Sequence, residues 1–440
     1  MTTRIQGQAR RESLLLNMGP SHPAMHGTIR IMLELEGERV RNAEVEIGFL
    51  HRGFEKTCEN KTWFNLLPYT DRLNYVSPLL NNLGYALAVE KLLGVEAPPR
   101  ARLIRVLMGE LSRIADHLTC VAAMAMECGA FTVFLYSIKA REFVWEVVEA
   151  ATGARMTTSF IRIGGIRADL EDGWREATAR AVAETRKVLR DVRGLLDRNP
   201  IFLKRTRDIA VMSAERALAY GWTGPCLRST GVAYDVRRAH PYLGYEDFDF
   251  EIPTGKRGDN FDRYQVRMRE VEQSLRIIEQ AAARLAASPP AIAAEGIDPA
   301  EAIAASRGRR ERRPIRLSPN LAGSERERYA EILASGPWAV PPKEEVYTSI
   351  EGLIRHFQFF MRGHGLRPPR GEAYGAVEGG NGELGFYVVS DGTDTPARVH
   401  VRAPCFHIVA ALEEMITGLY LADIIPTFGS MNMIGGELDR

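Results

Sequence analysis

Between residues 261 and 285 apolar side chains recur at steps of three and four: Phe261, Tyr264, Met268, Val271, Leu275, Ile278, Ala282 and Leu285. That spacing sets all eight on one stripe of a helix about seven turns long. A stripe of such length must be covered by other helices, so the segment predicts a helical bundle. Two further segments supply partners. After Pro98-Pro99, Leu103, Leu107, Leu111, Ile114 and Leu118 recur at the same spacing, and a helix from Glu171 to Asp197 stops at Asn199-Pro200, where proline forbids continuation. Each stripe reads as core packing, and none is assigned a cofactor.

Strand patterns flank the bundle. Ile29, Ile31, Leu33 and Leu35 alternate with Arg30, Met32, Glu34 and Glu36; Gly37-Glu38 turns the chain, and Val45 and Ile47 resume the alternation. A period of two followed by a turn predicts a hairpin with one solvated face. Late in the chain come a helix near Tyr347–Met361 and strands near Phe386–Ser390 and Arg398–Arg402. Between Ser288 and Pro342, proline pairs, an alanine-rich patch and six arginines within 307–316 read as an exposed excursion, either a solvated loop or a surface for an acidic partner. The fold class is therefore α+β, a central helical bundle with flanking antiparallel β structure. Its segments are a β-rich 1–60, a bundle core 61–287, the excursion 288–345, and a C-terminal helix and strands over 346–440.

Charge and cysteine usage narrow the function. Lysine plus arginine number 57 against 56 acidic residues, a balance without the basic footprint of a nucleic-acid binder. No apolar run reaches 18 residues, and the opening MTTRIQGQARRES lacks a signal peptide's apolar core, so the default compartment is the cytosol. Cys58, Cys120, Cys128, Cys226 and Cys405 include no CxxC pair, which argues against zinc, a redox dithiol or a common cluster site. They read as buried structural thiols.

Three local patterns invite a chemical reading. Gly380-Asn381-Gly382-Glu383-Leu384-Gly385 satisfies GxGxxG, but the residues after it look like a strand rather than a helix, so it predicts a hairpin turn and no dinucleotide site. His22 and His26 stand four apart, yet Gly19, Pro20, Pro23 and Gly27 oppose a helix there. They are satisfied turn histidines, or they present ring nitrogens to a ligand; no metal is assigned. Glu127 is the one ionisable carboxylate in the apolar stretch 120–136. It lies at a helix edge in water, or is buried against a histidine or an arginine.

Seven motifs in order, NMGPSHPAMHGTIR (17–30), IGFLHRGFEK (47–56), YALAVEKLLG (85–94), FIRIGGI (160–166), LRSTGVAYDVRRAHPY (227–242), GELGFYVVSDG (382–392) and VRAPCF (401–406), resemble the 49 kDa (D) subunit family of respiratory complex I, the proton-pumping NADH:quinone oxidoreductase. The resemblance implies the fold of the nickel–iron hydrogenase large subunit. Hydrogenase activity itself is excluded: residues 50–55 and 428–432 contain none of the thiolates a nickel–iron centre requires.

The same resemblance implies that the former metal cavity holds a quinone headgroup, beside a neighbouring subunit's terminal iron–sulfur cluster. His26 and Tyr75 would be its hydrogen-bond partners, with His22 also at the quinone and Glu127 as the acidic partner of His26. Arg72, His51, Arg52 and Thr157 would lie near the cluster. A phenol and an imidazole can both donate to a carbonyl oxygen as charge builds on it. No cofactor is expected on this chain alone; iron–sulfur clusters and FMN would sit on partners, and quinone is the substrate. Expected partners are the cluster-bearing B-type subunit, the 30 kDa C-type subunit, the I-type subunit and the membrane-embedded H-type subunit, at the cytoplasmic face of the inner membrane. Alternatives are a complex I relative fed by ferredoxin or F420H2, and a non-catalytic scaffold. The chain departs from the family at Glu127 (usually aspartate), Thr157 (usually histidine), Cys405 (usually serine) and Asn432 (usually aspartate). Threonine does not titrate near neutral pH, so the cluster's potential is expected to depend little on pH; loss of the aspartate at 432 is expected to remove a charge near the pocket.

Overall fold

The computed structural model describes residues 13–25, 28–288, 343–361 and 366–440. His26 and nearly all of the excursion, with its basic run, lie outside the described residues. Helices and antiparallel strands are mixed, as an α+β chain requires.

The hairpin is present as β2 (Arg30–Glu36) and β3 (Arg39–Glu46), and a further strand, β1 (Ser13–Met18), pairs antiparallel with β2. Ile31, Leu33 and Leu35 point inward with Val40 and Ala43. Ile47, expected to continue the alternation, falls beyond β3 and is exposed.

The bundle is built from α1 (Pro78–Leu93), α2 (Pro99–Glu127), α3 (Phe131–Thr152), α4 (Trp174–Leu196) and α5 (Asn260–Leu285). The 261–285 seam is α5 to within a residue. In α1 only Leu87 and Lys91 escape burial, so the helix is wrapped on all sides and carries no amphipathic signature. Helix α2 is the axis: it packs against α1, α3 and α5 and, near its C-terminal end, against α6 (Leu421–Met431). Every residue from Ile104 to Leu118 is buried, including Arg105, Glu110, Arg113, Asp116 and His117. The 120–136 stretch is broken at Cys128–Ala130, between α2 and α3.

Two of the expected boundaries shift. Pro200 does not merely end α4; it opens a second helix, Pro200–Thr206, capped by Asn199, whose Oδ1 accepts from the N–H groups of Ile201 and Phe202 at 2.9 and 3.2 Å. The helix placed at Tyr347–Met361 is two, Lys343–Thr348 and Ile350–Phe360, separated at Ser349, whose hydroxyl accepts from the Gly352 N–H at 2.9 Å.

A two-residue pair, β4 (Ile161–Arg162) with β5 (Gly165–Ile166), carries the RIGG turn. Glu90 of α1 accepts from the Gly164 N–H at 2.7 Å and pairs with buried Arg105 of α2, whose Nη2 donates to the carbonyls of Arg162 and Gly165. The third sheet, β6 (Gly371–Glu378), β7 (Glu383–Ser390) and β8 (Arg398–Arg402), packs on α1. GxGxxG falls in the β6–β7 hairpin and the strand after it: Gly379 and Gly382 exchange backbone bonds across the turn, as the sequence suggested. Apolar residues of this sheet join the bundle core. A second core unites β1–β3, residues 210–227 and the C-terminal segment 405–438.

Candidate functional site

The site lies where the loop 71–77 meets α2 and the C-terminal segment. Tyr75 is half-buried, and no hydrogen bond within the described residues occupies its hydroxyl. Its ring rests on Gly436, where a Cβ would come within 3.3 Å of Tyr75 Cδ1 and 2.5 Å of the Arg72 carbonyl oxygen; only glycine allows this approach. Burial pushes the phenol pKa up, the Cys405 and Asp116 groups push it further, and Arg52 opposes them.

Asp116 organises this floor from α2. Its Oδ2 accepts from Asn74 Nδ2 at 2.9 Å and Ser77 Oγ at 2.7 Å, and its Oδ1 from Asn432 Nδ2 at 2.7 Å. Asn432 ends α6 in the left-handed conformation, φ 57° and ψ 49°, which asparagine tolerates better than most residues. Its amide also reaches Asn381 Oδ1 at 2.6 Å, and Asn381 in turn donates to Cys405 Sγ at 3.2 Å. The charge expected to be missing at position 432 is thus present 2.7 Å away, on a different helix. Beyond Cys405, Glu437 accepts from the Cys405 N–H at 2.8 Å, and burial raises its carboxyl to about 7.

The residues singled out in the sequence do not all come together. Arg52, Arg72 and Tyr75 come together: the Arg52 guanidinium donates to the Arg72 carbonyl, and that of Arg72 to the Pro68 carbonyl. His51, on the same loop as Arg52, places Nδ1 3.0 Å from the carbonyl oxygens of Asp439 and Arg440. Glu127, the last residue of α2, packs on Gly429 of α6, where any Cβ would overlap its Oε2. Just before the undescribed His26, Met25 is buried in the core that also holds Phe428 and Met431. His22 Nδ1 accepts from the Ala24 N–H at 3.2 Å within its own turn.

Thr157 is half-buried with φ 53°. Two residues on, Ser159 donates both its N–H (3.0 Å) and its hydroxyl to Asp71. Burial outweighs these bonds and lifts the Asp71 carboxyl to about 6. A titrating group therefore stands one residue before Arg72, bonded two residues on from Thr157.

Behind Asp116 the bundle encloses a network of charges, none more than about 1% exposed. Arg228 pairs with Glu270 at 2.7 Å and Glu378 at 2.8 Å; Arg237 bridges Asp235 at 2.7 Å and Glu110 at 3.0 Å; His117 Nε2 meets Glu270 Oε2 at 2.8 Å. Burial opposes ionisation of Glu110 and Asp235, but their arginines outweigh it and hold both at about 2. Glu378 goes the other way, raised by burial and by its neighbour Asp235 against the pull of Arg228. Burial lowers His117 despite Glu270. Four cysteines are buried and Cys128 is half-buried, with Cys58, Cys120 and Cys128 raised by burial to about 12, as expected of structural thiols. Among the described residues no cluster of three metal-ligating side chains occurs, and no helix is long and apolar enough to cross a membrane.

The profile of the family described as respiratory-chain NADH dehydrogenase, 49 Kd subunit, matches residues 127–440. The chain is similar to the D 1 subunit of NADH-quinone oxidoreductase from Sorangium cellulosum, 49% identical over 98% of this chain and 96% of the relative. It is also similar to the D subunit of NADH-quinone oxidoreductase from Myxococcus xanthus, 45% identical over 99% and 95%. The C/D subunit of NADH-quinone oxidoreductase from Bdellovibrio bacteriovorus is 44% identical over 97% of this chain and 69% of its own length.

Proposed function

This chain belongs to the family of the 49 kDa subunit of the respiratory-chain NADH dehydrogenase, the D-type subunit of an NADH-quinone oxidoreductase, and from that membership we propose that the Tyr75 cleft is where the quinone headgroup is reduced. The complex is an oxidoreductase. The observation that carries the reading is the Tyr75 phenol, half-buried, engaged by no hydrogen bond within the described residues, and kept protonated by its surroundings. Such a group is free to donate to a carbonyl oxygen on which electrons arrive.

In this reading His26 donates to the second carbonyl, Glu127 is its acidic partner, and His22 lies at the mouth. The quinone takes two electrons from a neighbouring subunit and two protons at its oxygens. Arg72, Arg52, His51 and Thr157 face that neighbour's terminal cluster, and the positive charges favour its reduced state. The bundle is of the nickel–iron hydrogenase large-subunit type. Clusters and FMN belong to partner subunits. The B-, C- and I-type subunits and the membrane-embedded H-type subunit surround this chain, and the event drives proton translocation at the membrane's cytoplasmic face. The name of the Bdellovibrio relative joins C and D in one polypeptide, which supports the C-type subunit as a neighbour.

Tyr75→Phe in the assembled complex tests the assignment. Removing a positioned proton donor costs on the order of a hundredfold in quinone reduction, while NADH oxidation by a water-soluble artificial acceptor stays normal. A variant that reduces quinone at the native rate refutes it.

A further inference from the structure

We infer that Asp116 is the positioning residue for Tyr75: one buried carboxylate ties the loop that carries the phenol to the C-terminal segment beneath it and supplies a fixed negative charge that keeps the phenol a proton donor. The inference rests on the reading of Tyr75 as the quinone's partner. Its geometry is independent of that reading.

Asn74 and Ser77, which bracket Tyr75, both donate to the same oxygen of Asp116, and Asn74 Oδ1 accepts from the N–H groups of Val76 and Ser77 at 3.2 and 3.3 Å. The turn is closed on itself and fastened to α2 at two points. Asn432 fastens the other carboxylate oxygen to the end of α6. Gly380 completes the enclosure, since a Cβ there would overlap the carboxylate. Among the described residues the three hydrogen-bond partners of Asp116 are neutral, so none of them cancels its charge.

Among the described residues the ionisable groups that bear on Tyr75 come from three directions: Arg52 from the loop 48–53, Asp116 from α2, and Cys405, with Glu437 behind it, from the C-terminal segment; Arg72, on the loop of Tyr75, acts on Arg52. Of these, Asp116 alone both touches the Tyr75 turn and carries a buried negative charge beside it. Because Asn432 faces it at 2.7 Å, carboxylate and amide can exchange places without changing the number of atoms.

That exchange is the experiment, made in the assembled complex with a short-chain quinone as acceptor. Asp116→Asn is expected to lower kcat on the order of tenfold to a hundredfold, as a misplaced donor does, with KM changed less. The alkaline limb of the pH–rate profile should move to lower pH, because the charge opposing phenolate is gone. The double variant Asp116→Asn, Asn432→Asp returns the carboxylate to the same contact and should recover most of the rate and the alkaline limb. A normal rate and limb in the single variant, or a double variant no better than the single, overturns the inference. Should Asp116→Asn fail to assemble, Ser77→Ala, which keeps the charge but releases one anchor, decides: a normal kcat there also overturns it. Tyr75→Phe in parallel separates the two claims. If it is inactive while the Asp116 variants are normal, only the positioning role falls; if it is fully active, the quinone assignment falls with it.

Discussion

Replacing Arg228 by methionine probes the buried network most directly. The guanidinium is fully buried, and its Nε and Nη1 reach Glu270 at 2.7 Å and Glu378 at 2.8 Å, with the Tyr234 carbonyl oxygen also at 2.8 Å. Methionine keeps an unbranched apolar stem but removes the guanidinium and its charge. Asp235 retains Arg237, and Glu270 retains His117, whereas Glu378 keeps only the Val236 N–H at 2.9 Å. Breaking buried pairs of this kind costs roughly 3–5 kcal/mol. A chain of 440 residues has an unfolding entropy of about 0.9 kcal/mol/K, so the melting temperature should drop by roughly 3–5 °C. The loss also has a sign in pH. In the native protein Glu270 and Asp235 are held below their unfolded values, so their contribution is present at neutral pH and disappears only on strong acidification. In the variant Glu378, already raised, rises further. A carboxyl raised on folding contributes stability below its unfolded value and loses it as pH climbs through the folded one. The gap between native and variant should therefore be widest near pH 8 and shrink toward pH 5. Differential scanning fluorimetry across that range is the assay; an unchanged melting temperature, or a gap that grows on acidification, refutes the reasoning.

Three other substitutions test separate parts of the structure. Asp71, bonded to Ser159 and lifted to about 6, gains a negative charge as pH rises through that value, so under the proposed placement of a neighbour's cluster near Arg72 that cluster's potential should fall over that interval in the native complex. In Asp71→Asn the potential should be flat there; potentiometric titrations with the same slope in both would dismiss Asp71 as the group responsible. Gly375→Ala drives a Cβ to 2.6 Å from the Ala88 nitrogen where β6 lies on α1, which should cost about 1–3 kcal/mol of thermal stability, whereas Gly194→Ala, on the exposed face of α4 with nothing within 4 Å, should add about 0.5–1 kcal/mol.

Much of the framework could be read from spacing alone. The α5 seam, the β2–β3 hairpin and the glycine turn at 379–382 all follow from periodicities that local chemistry imposes. Helix α1 escaped because a helix buried on every side has no polar face to mark its period. Strand β1 escaped because Leu14, Leu15 and Leu16 run consecutively, and Leu14 and Leu15 are exposed, so no alternation betrays it. The site divides in the same way. Motif resemblance points to Tyr75, Arg52 and Arg72 as candidates, and the fold sets them close together. Asp116 was not found, because its partners at 74, 77 and 432 share no spacing with it. One signal was available: Arg105, Glu110, Arg113, Asp116 and His117 interrupt a helix whose leucine stripe suggested an ordinary core. Five ionisable residues within one buried stretch must be matched from elsewhere in the chain, and both the ion network and the Tyr75 anchor provide that match.

The contact between Asp116 and Asn432 spans 316 positions of sequence, and Thr28 meets Met433 across 405. Closing a loop of that size costs about 5 kcal/mol of chain entropy before any bond repays it. The site around Tyr75 therefore cannot be an early event in folding: helices α2 to α4 can associate through near neighbours, while Tyr75 is seated only after α6 arrives. A nascent chain that stalls before residue 432 would possess a bundle but lack the far end of the anchor that holds Asp116 beneath Tyr75.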